Sequence, residues 1–102
     1  MVSAMSQRLS GKTVLVTGAS SGIGKSTAIE FARTSSENIK LILTARRIDS
    51  LKELAEAINK ESGSGVKVLA VQLDISKPDQ VQGFVSRLPG EFQHIDILVN
   101  NA

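Results

Sequence analysis

A glycine-rich turn between an apolar strand and a helix start constrains this chain more than any other feature. Residues 14–26 read VLVTGASSGIGKS, in which Gly18, Gly22 and Gly24 allow a tight turn and a close approach of the backbone to a ligand. The first N–H groups of a helix have no partner within the helix and lie at the positive end of its dipole. This glycine turn, residues 18–24, therefore predicts a phosphate site and a nucleotide-binding chain.

Two nucleotide-binding folds fit the glycine turn. In the dinucleotide-binding α/β fold, such glycines open a β-α-β unit, and a residue about 20 positions further on contacts the ribose. In the P-loop fold, residues 19–26 are a near match to G-x-x-x-x-G-K-[ST], with Ala19 in place of the first glycine and Lys25 and Ser26 at its end. Short motifs recur by chance, so the turn alone leaves both folds open.

The end of the second predicted strand, residues 40–45, bears on the choice between the two folds, because it lies about 20 residues beyond the turn. An NAD enzyme places a carboxylate here to accept a hydrogen bond from the ribose 2′-hydroxyl. Ala45 has no carboxylate, whereas the guanidinium groups of Arg46 and Arg47 suit a 2′-phosphate. Two cations at a helix start are also disfavoured by its dipole unless an anion lies near them. The sequence thus favours NADP over NAD; the alternative is that both arginines are only solvated.

Strand and helix patterns alternate along the chain, which indicates a parallel sheet with helices on its faces. Strands are predicted at residues 13–17, 40–45, 66–73 and 95–100. Between the second and third strands, four apolar residues recur with helical spacing and form a stripe that would pack on the sheet: Leu51, Leu54, Ala55 and Ile58. After the third strand, Ser76 as N-cap and Pro78 in the first turn predict a helix start.

Composition narrows the function classes. The net charge is +2 and the basic residues are scattered along the chain, so nucleic acid binding has little support. The absence of cysteine and the single histidine predict neither a disulfide framework nor a metal site. The amino terminus lacks the apolar stretch of a signal peptide, and no run approaches the ~20 apolar residues of a membrane span. We therefore expect a cytoplasmic protein without a membrane partner.

Two motifs make the sequence resemble the short-chain dehydrogenases/reductases. The family signature T-G-x-x-x-G-x-G is present as TGASSGIG from Thr17, and the motif N-N-A-G is present at residues 100–102 without its glycine. The runs LILTARR, from Leu41, and EFQHIDILVNN, from Glu91, look like the NADP-dependent 3-hydroxy acid dehydrogenases, which oxidise serine, allo-threonine and related compounds. The resemblance covers all 102 residues. It implies the first half, β-α-β-α-β-α-β, of a Rossmann-type doubly wound α/β sheet.

The resemblance also implies a set of NADP contacts at the carboxyl ends of the strands, where ligands of open α/β sheets bind. In the family, an Asp after the third strand contacts the adenine, and Asp74, followed by Ile75, has this position. In the family, the asparagine at the position of Asn101 helps to hold the strands of the sheet together and borders the nicotinamide ribose. The predicted cofactor-binding residues are Gly18, Ser20, Ser21, Gly22, Ile23, Gly24, Arg46, Arg47, Asp74, Ile75 and Asn101.

No catalytic residue is assigned within the chain. The family uses a Tyr as general acid/base, a Lys four residues later and a Ser that orients the substrate, but this sequence contains no tyrosine. His94 is predicted to be a surface histidine just before the fourth strand and not a replacement. We therefore expect residues 1–102 to be the amino-terminal part of one NADP-binding domain of about 250 residues. Residues 1–11 are expected to be a flexible lead, and the chain to be inactive alone.

Three functions follow from these patterns. The resemblance implies an oxidoreductase that transfers a hydride between NADP and a small 3-hydroxy acid or related alcohol, and that is a homo-oligomer at full length. The alternative is a non-catalytic, truncated nucleotide-binding module, which would expose an apolar strand edge near residues 97–99 unless another chain covers it. A P-loop nucleotide hydrolase is less favoured, because it leaves Arg46, Arg47 and the paired asparagines unexplained.

Overall fold

The computed structural model describes residues 11–20, 22–34, 39–62 and 66–100. Strands and helices alternate as β1 (Thr13–Thr17), α1 (Gly22–Thr34), β2 (Ile39–Ala45), α2 (Ile48–Ser62), β3 (Val66–Gln72), α3 (Pro78–Val81) and β4 (Ile97–Asn100). The four predicted strands are confirmed, with ends that differ by no more than two residues. Of the expected flexible lead, residues 1–10 lie outside the described residues.

The four strands form one parallel sheet in the order β3-β2-β1-β4. All five residues of β1 are buried, as expected for a central strand covered on both faces. The chain moves outward from β1 to β3 and then crosses back to place β4 on the other side of β1. The strand order therefore reverses between β1 and β4, and ligands of open α/β sheets bind at the carboxyl ends of the strands at such a reversal. The predicted first half of a doubly wound Rossmann-type sheet is confirmed.

One face of the sheet packs against α1 and α2. The predicted stripe on α2 lies in this core: Leu51, Leu54 and Ile58 are buried, and Ala55 is half-buried. Burial of each large aliphatic side chain contributes about 1.5 to 3 kcal/mol, so this face fixes α2 firmly on the sheet. No helix within the described ranges is long and apolar enough to cross a membrane.

The other face is covered by the segment between β3 and β4, which is mostly not α-helical. The helix α3 has four residues, and two 3-10 turns follow it at Val85–Arg87 and Gly90–Phe92. Gly83 has a φ of 80°, a conformation that no α-helix contains, so α3 ends before it. Phe84, Leu88 and Phe92 are nevertheless buried against the sheet. This crossover therefore supplies core side chains without a long helix.

The N-cap of α3 is Lys77, so the prediction that Ser76 is the N-cap was wrong. The backbone N–H and the hydroxyl of Ser76 both donate to Oδ1 of Asp74, at 3.0 and 2.6 Å. Asp74 therefore forms a local turn with Ser76, because aspartate side chains often accept a hydrogen bond from the residue two positions later. The helix starts after this turn. Pro78 is in the first turn of α3 as predicted.

The strand β4 forms an edge of the described sheet. It pairs with β1 from Val14–Ile97 to Thr17–Asn100, and among the described residues no strand pairs with its other side. Leu98 is 62% exposed. Ile97 and Val99 on the same strand are half-buried.

Candidate functional site

The backbone of the glycine turn adopts conformations that favour glycine at two positions. Gly18 and Gly22 have φ angles of 60° and 58°, in the left-handed region. A residue with a Cβ would be strained there by roughly 1 to 2 kcal/mol. Ser20, between them, is half-buried, whereas Ser21 lies outside the described residues. The turn after β1 is therefore shaped by its glycines, as its sequence indicates.

The third glycine is required for a different reason, which is packing. Gly24 is buried, and a Cβ placed on it would lie 2.8 Å from the carbonyl carbon of Gly18 and 3.2 Å from Cα of Ala19. The beginning of α1 consequently packs directly against the backbone of the turn. The first N–H groups of α1, which have no partner within the helix, lie beside this turn. A backbone cradle of this kind suits a phosphate group.

The other side chains at the start of α1 are exposed. Ile23 is 76% exposed, and Lys25 and Ser26 are exposed as well. Exposure of Lys25 is what the dinucleotide-binding interpretation expects of it.

The glycine turn is fastened to β2. The N–H of Ala19 donates to the carbonyl oxygen of Thr44 at 3.0 Å. Since Thr44 is the second-last residue of β2, this bond joins the turn to the strand that ends just before Arg46. The two segments predicted to contact phosphates are therefore held in a fixed relation.

Arg46 and Arg47 form the short connection between β2 and α2, and both are exposed. Neither guanidinium forms an ion pair with a described residue. The main chain of Arg46 is held from β3, because Nε2 of Gln72 donates to its carbonyl oxygen at 2.9 Å. The next residue, Leu73, donates its N–H to the carbonyl oxygen of Ala45 at 2.9 Å. Two cations thus lie at the carboxyl end of β2, and the main chain of the first is anchored to β3.

Asp74 follows β3 at the same edge of the sheet and is half-buried. Its N–H donates to Oε1 of Gln80 at 3.0 Å. The hydrogen bond from the Ser76 hydroxyl holds the pKa of the Asp74 carboxyl below its usual range, and the Ser76 N–H and the charges of Lys77 and Arg46 act in the same direction. Asp74 is therefore ionised at neutral pH and acts as a hydrogen-bond acceptor. The neighbouring Ile75 is 39% exposed.

The carboxyl ends of β1 and β4 are joined by side chains. The hydroxyl of Thr17 donates to Oδ1 of Asn100 at 2.9 Å, and these two residues are paired in the sheet register. This contact was not found from the sequence, although both residues belong to the family motifs. The predicted site residue next to it, Asn101, lies outside the described residues.

His94 lies away from these residues, before the amino end of β4. Its side chain is 90% exposed, with Nε2 3.1 Å from Oδ1 of Asp96. The other carboxylate oxygen of Asp96 accepts the N–H of Thr13 at 2.9 Å, and Asp96 donates its own N–H to the Thr13 carbonyl at 2.9 Å. The prediction of a surface histidine is confirmed, and Asp96 has a structural role at the opposite edge of the sheet.

The described candidate residues therefore lie together at the carboxyl ends of the strands, which we call the shared edge of the sheet. The glycine turn follows β1, the arginine pair follows β2, and Asp74 and Ile75 follow β3. Backbone hydrogen bonds connect the first segment to the second through Ala19 and the second to the third through Leu73. The arrangement offers backbone donors, two guanidinium groups and one carboxylate acceptor, which together suit a nucleotide with more than one phosphate.

Comparison with known proteins gives a consistent result. The model of the family described as short chain dehydrogenase matches residues 12–102. The chain is 50% identical over 95 residues to an NADP-dependent 3-hydroxy acid dehydrogenase from Schizosaccharomyces pombe, which covers 93% of this chain and 35% of that protein. It is 47% identical over 97 residues to the 11-beta-hydroxysteroid dehydrogenase 1A of Arabidopsis thaliana, which covers 95% of this chain and 26% of that protein.

Solved structures with the same fold also match. L-sorbose reductase from Gluconobacter frateurii, crystallised with NADPH and L-sorbose, has a TM-score of 0.79 at 39% identity, over 92% of this chain and 34% of that one. A short-chain dehydrogenase from Sphingobium yanoikuyae in complex with NADPH has a TM-score of 0.73 at 43% identity, over 89% and 34% of the two chains. The chain thus spans about a quarter to a third of the length of these relatives.

Proposed function

Because this chain belongs to the short-chain dehydrogenase family, we propose that it forms the NADP-binding part of an NADP-dependent oxidoreductase. The observation that carries the proposal is the shared edge of the sheet, where the glycine turn and the arginine pair follow adjacent strands. Family membership also removes the P-loop interpretation of Lys25 and Ser26. When bound, NADP supplies or accepts the hydride; the residues of this chain bind and orient it.

The residues present fit such a coenzyme. The buried Gly24 keeps the start of α1 against the glycine turn, so backbone N–H groups are available to a pyrophosphate without a side chain between them. The ionised Asp74 is an acceptor suited to the amino group of an adenine. The remaining proposed contacts are Gly18, Ser20, Ser21, Gly22, Ile23, Ile75 and Asn101.

The proposed choice of NADP over NAD depends on the connection between β2 and α2. None of the side chains of Ala45, Arg46 and Arg47 has a carboxylate, so none of them accepts a hydrogen bond from a ribose 2′-hydroxyl as an aspartate or glutamate would. The exposed guanidinium groups instead offer forked donors to a 2′-phosphate. The names of the Schizosaccharomyces pombe and Gluconobacter frateurii relatives support the same coenzyme.

We propose a small 3-hydroxy acid or related alcohol as the substrate of the whole protein. The 50% identity to the Schizosaccharomyces pombe dehydrogenase supports this class, whereas the Arabidopsis thaliana and Gluconobacter frateurii relatives are named for a steroid and a sugar. The sequence has no tyrosine, so we assign no catalytic role to any of these 102 residues. The homo-oligomer, the cytoplasmic location and the inactivity of the chain alone stay predictions.

The intact mass of the natural gene product tests whether this chain is part of a longer enzyme. A product about three times this length would match the relatives, and it would justify assays of serine and allo-threonine oxidation with NADP⁺. A product of 10.8 kDa would favour the non-catalytic nucleotide-binding module instead.

Coenzyme choice is tested by titrating NADPH and NADH into the intact gene product and into the Arg46→Ala/Arg47→Ala variant. A charge-assisted hydrogen bond contributes about 1.5 to 3 kcal/mol, so the loss of at least one of them should lower NADPH affinity by about 10- to 100-fold or more. NADH affinity should change by less than about threefold. Equal losses for the two coenzymes would contradict the 2′-phosphate assignment.

Two variants serve as controls. Arg33→Ala removes an exposed guanidinium from the last turn of α1, at the opposite edge of the sheet, and should leave both affinities unchanged. Ser26→Ala should leave dinucleotide binding nearly unchanged, because the hydroxyl matters only in a P-loop.

A further inference from the structure

Gln72 holds the main chain of Arg46 from the neighbouring strand. It is the last residue of β3 and is paired in the register with Ala45. Its Nε2 donates to the carbonyl oxygen of Arg46 at 2.9 Å. The backbone pairing between β2 and β3 ends before Arg46, so this side chain extends the contact between the two segments by one residue.

The bond fixes more than one atom of the arginine pair. The peptide group between Arg46 and Arg47 is planar, so a fixed carbonyl oxygen on Arg46 also fixes the direction of the Arg47 N–H. The residue before the arginine pair, Ala45, is held by its hydrogen bond with Leu73, and α2 begins directly after the pair, at Ile48. The bond from Gln72 therefore limits the remaining rotation of a short, exposed connection that carries two long, flexible side chains.

We propose that Gln72 is a positioning residue for recognition of the 2′-phosphate, acting through Arg46. This inference rests on the proposed function, because it assumes that Arg46 binds the 2′-phosphate of NADP. Gln72 orders the connection before the ligand arrives, and a preorganised cation loses less conformational freedom on binding. Because the arginines are proposed to contact the 2′-phosphate, Gln72 should raise the affinity for ligands that carry this phosphate. It should not change the affinity for ligands that lack it.

The test uses 2′,5′-ADP and 5′-AMP, which differ in the 2′-phosphate, titrated calorimetrically into the intact gene product. Gln72→Met removes the donor and keeps the length of the side chain. A hydrogen bond of this kind has a modest net value, so we expect affinity for 2′,5′-ADP to fall by about threefold to tenfold. Affinity for 5′-AMP should stay within about twofold of the wild type. Gln82→Met, at an exposed glutamine just after α3, is the matched control and should change neither affinity.

A double-mutant cycle separates positioning from a direct or structural effect. If Gln72 acts on the arginine pair through the main chain of Arg46, Gln72→Met should have no further effect on 2′,5′-ADP in the Arg46→Ala/Arg47→Ala background. Equal losses for the two ligands, or a loss that persists without the two arginine side chains, would overturn the inference. Gln72→Asn keeps the amide but is one methylene shorter, so it supplies a second variant with the same expected result.

The cycle also distinguishes this inference from the coenzyme assignment. A wild-type protein that binds 2′,5′-ADP no better than 5′-AMP overturns both. A wild-type preference that disappears in Arg46→Ala but is unchanged in Gln72→Met supports the coenzyme assignment and overturns the positioning role.

Discussion

Gly24 packs against Gly18 with no space for a side chain between them. A Cβ on Gly24 would lie 2.8 Å from the carbonyl carbon of Gly18. The atoms it would meet are backbone, so they cannot move aside as the end of a flexible side chain does. This contact sets how closely α1 approaches the turn after β1, and through it the shape of the proposed phosphate site.

Gly24→Ala should therefore destabilise the protein and weaken NADPH binding. Overpacking costs about 1 to 3 kcal/mol, so we expect a loss of unfolding free energy of about 1 to 3 kcal/mol in urea denaturation. Gly90→Ala is the matched control, because a Cβ on Gly90 meets nothing within 4 Å, and its effect should be within about 0.5 kcal/mol. A Gly24→Ala variant as stable as Gly90→Ala would show that α1 can shift away from the turn.

Two threonines on the sheet should respond differently to replacement by valine. The hydroxyl of Thr44 is fully buried and has no hydrogen-bond partner among the described residues, whereas that of Thr17 donates to Asn100. Thr44→Val should leave stability unchanged or raise it by up to about 1 kcal/mol, and Thr17→Val should lower it by about 1 kcal/mol. Thermal unfolding of both variants measures this. An equal loss in both would show that Thr44 has a partner in the intact protein.

The proposed adenine contact of Asp74 predicts a preference between nucleobases. An ionised carboxylate accepts from the 6-amino group of adenine but opposes the 6-carbonyl group of hypoxanthine, so we expect the wild type to bind NADPH about tenfold more tightly than its hypoxanthine analogue. Asp74→Asn, which can present an N–H, should reduce this ratio. Asp79→Asn, in the first turn of α3, is the control and should preserve it. An unchanged ratio in Asp74→Asn would remove Asp74 from the adenine site.

Asp96 predicts a pH dependence of stability. Its carboxylate accepts the N–H of Thr13, which holds the pKa of Asp96 below its usual range, and the charges of His94 and Lys12 contribute in the same direction against the effect of burial. A carboxyl with a lowered folded pKa stabilises the protein above its unfolded pKa of about 3.9, and this stabilisation is lost as the pH falls through the folded pKa.

Asp96→Asn should accordingly unfold at a lower temperature than the wild type at neutral pH. The difference should shrink as the pH falls below about 4, because the wild-type carboxyl then becomes protonated as well. Thermal scans across the acid range, with the exposed Glu56→Gln as control, measure it. A difference that does not vary with pH would mean that the charge of Asp96 contributes nothing to folding.

The parts of the fold that follow from local patterns could be predicted from the sequence. The uninterrupted apolar run of β1 indicated a strand buried on both faces, and the spacing of Leu51, Leu54 and Ile58 indicated the face of α2 that packs on it. The glycines and arginines of the candidate site could be assigned to one edge, because the carboxyl ends of parallel strands lie on the same side of a sheet.

The parts that depend on competition between neighbouring groups could not be predicted. Serine is a favourable N-cap residue, but the hydroxyl of Ser76 donates to the nearby carboxylate of Asp74 and does not cap the helix. The hydrogen bonds of Gln72 and of Thr17 depend on the register between strands that are far apart in sequence, and an exposed glutamine carries no local signal of its partner. Such contacts are determined only when the whole sheet is assembled.

The hydrogen bond between Ala19 and Thr44 has a consequence for attempts to redesign this protein. It crosses from the turn after β1 to the strand that leads into Arg46, so the sites proposed for the 5′- and 2′-phosphates are parts of one unit. A new sequence grafted into the β2–α2 connection to accept NAD would inherit the position of the phosphate turn, provided that the Thr44 carbonyl keeps its direction. Coenzyme preference in this protein is therefore best exchanged from Arg46 onward, with the backbone of β2 left intact.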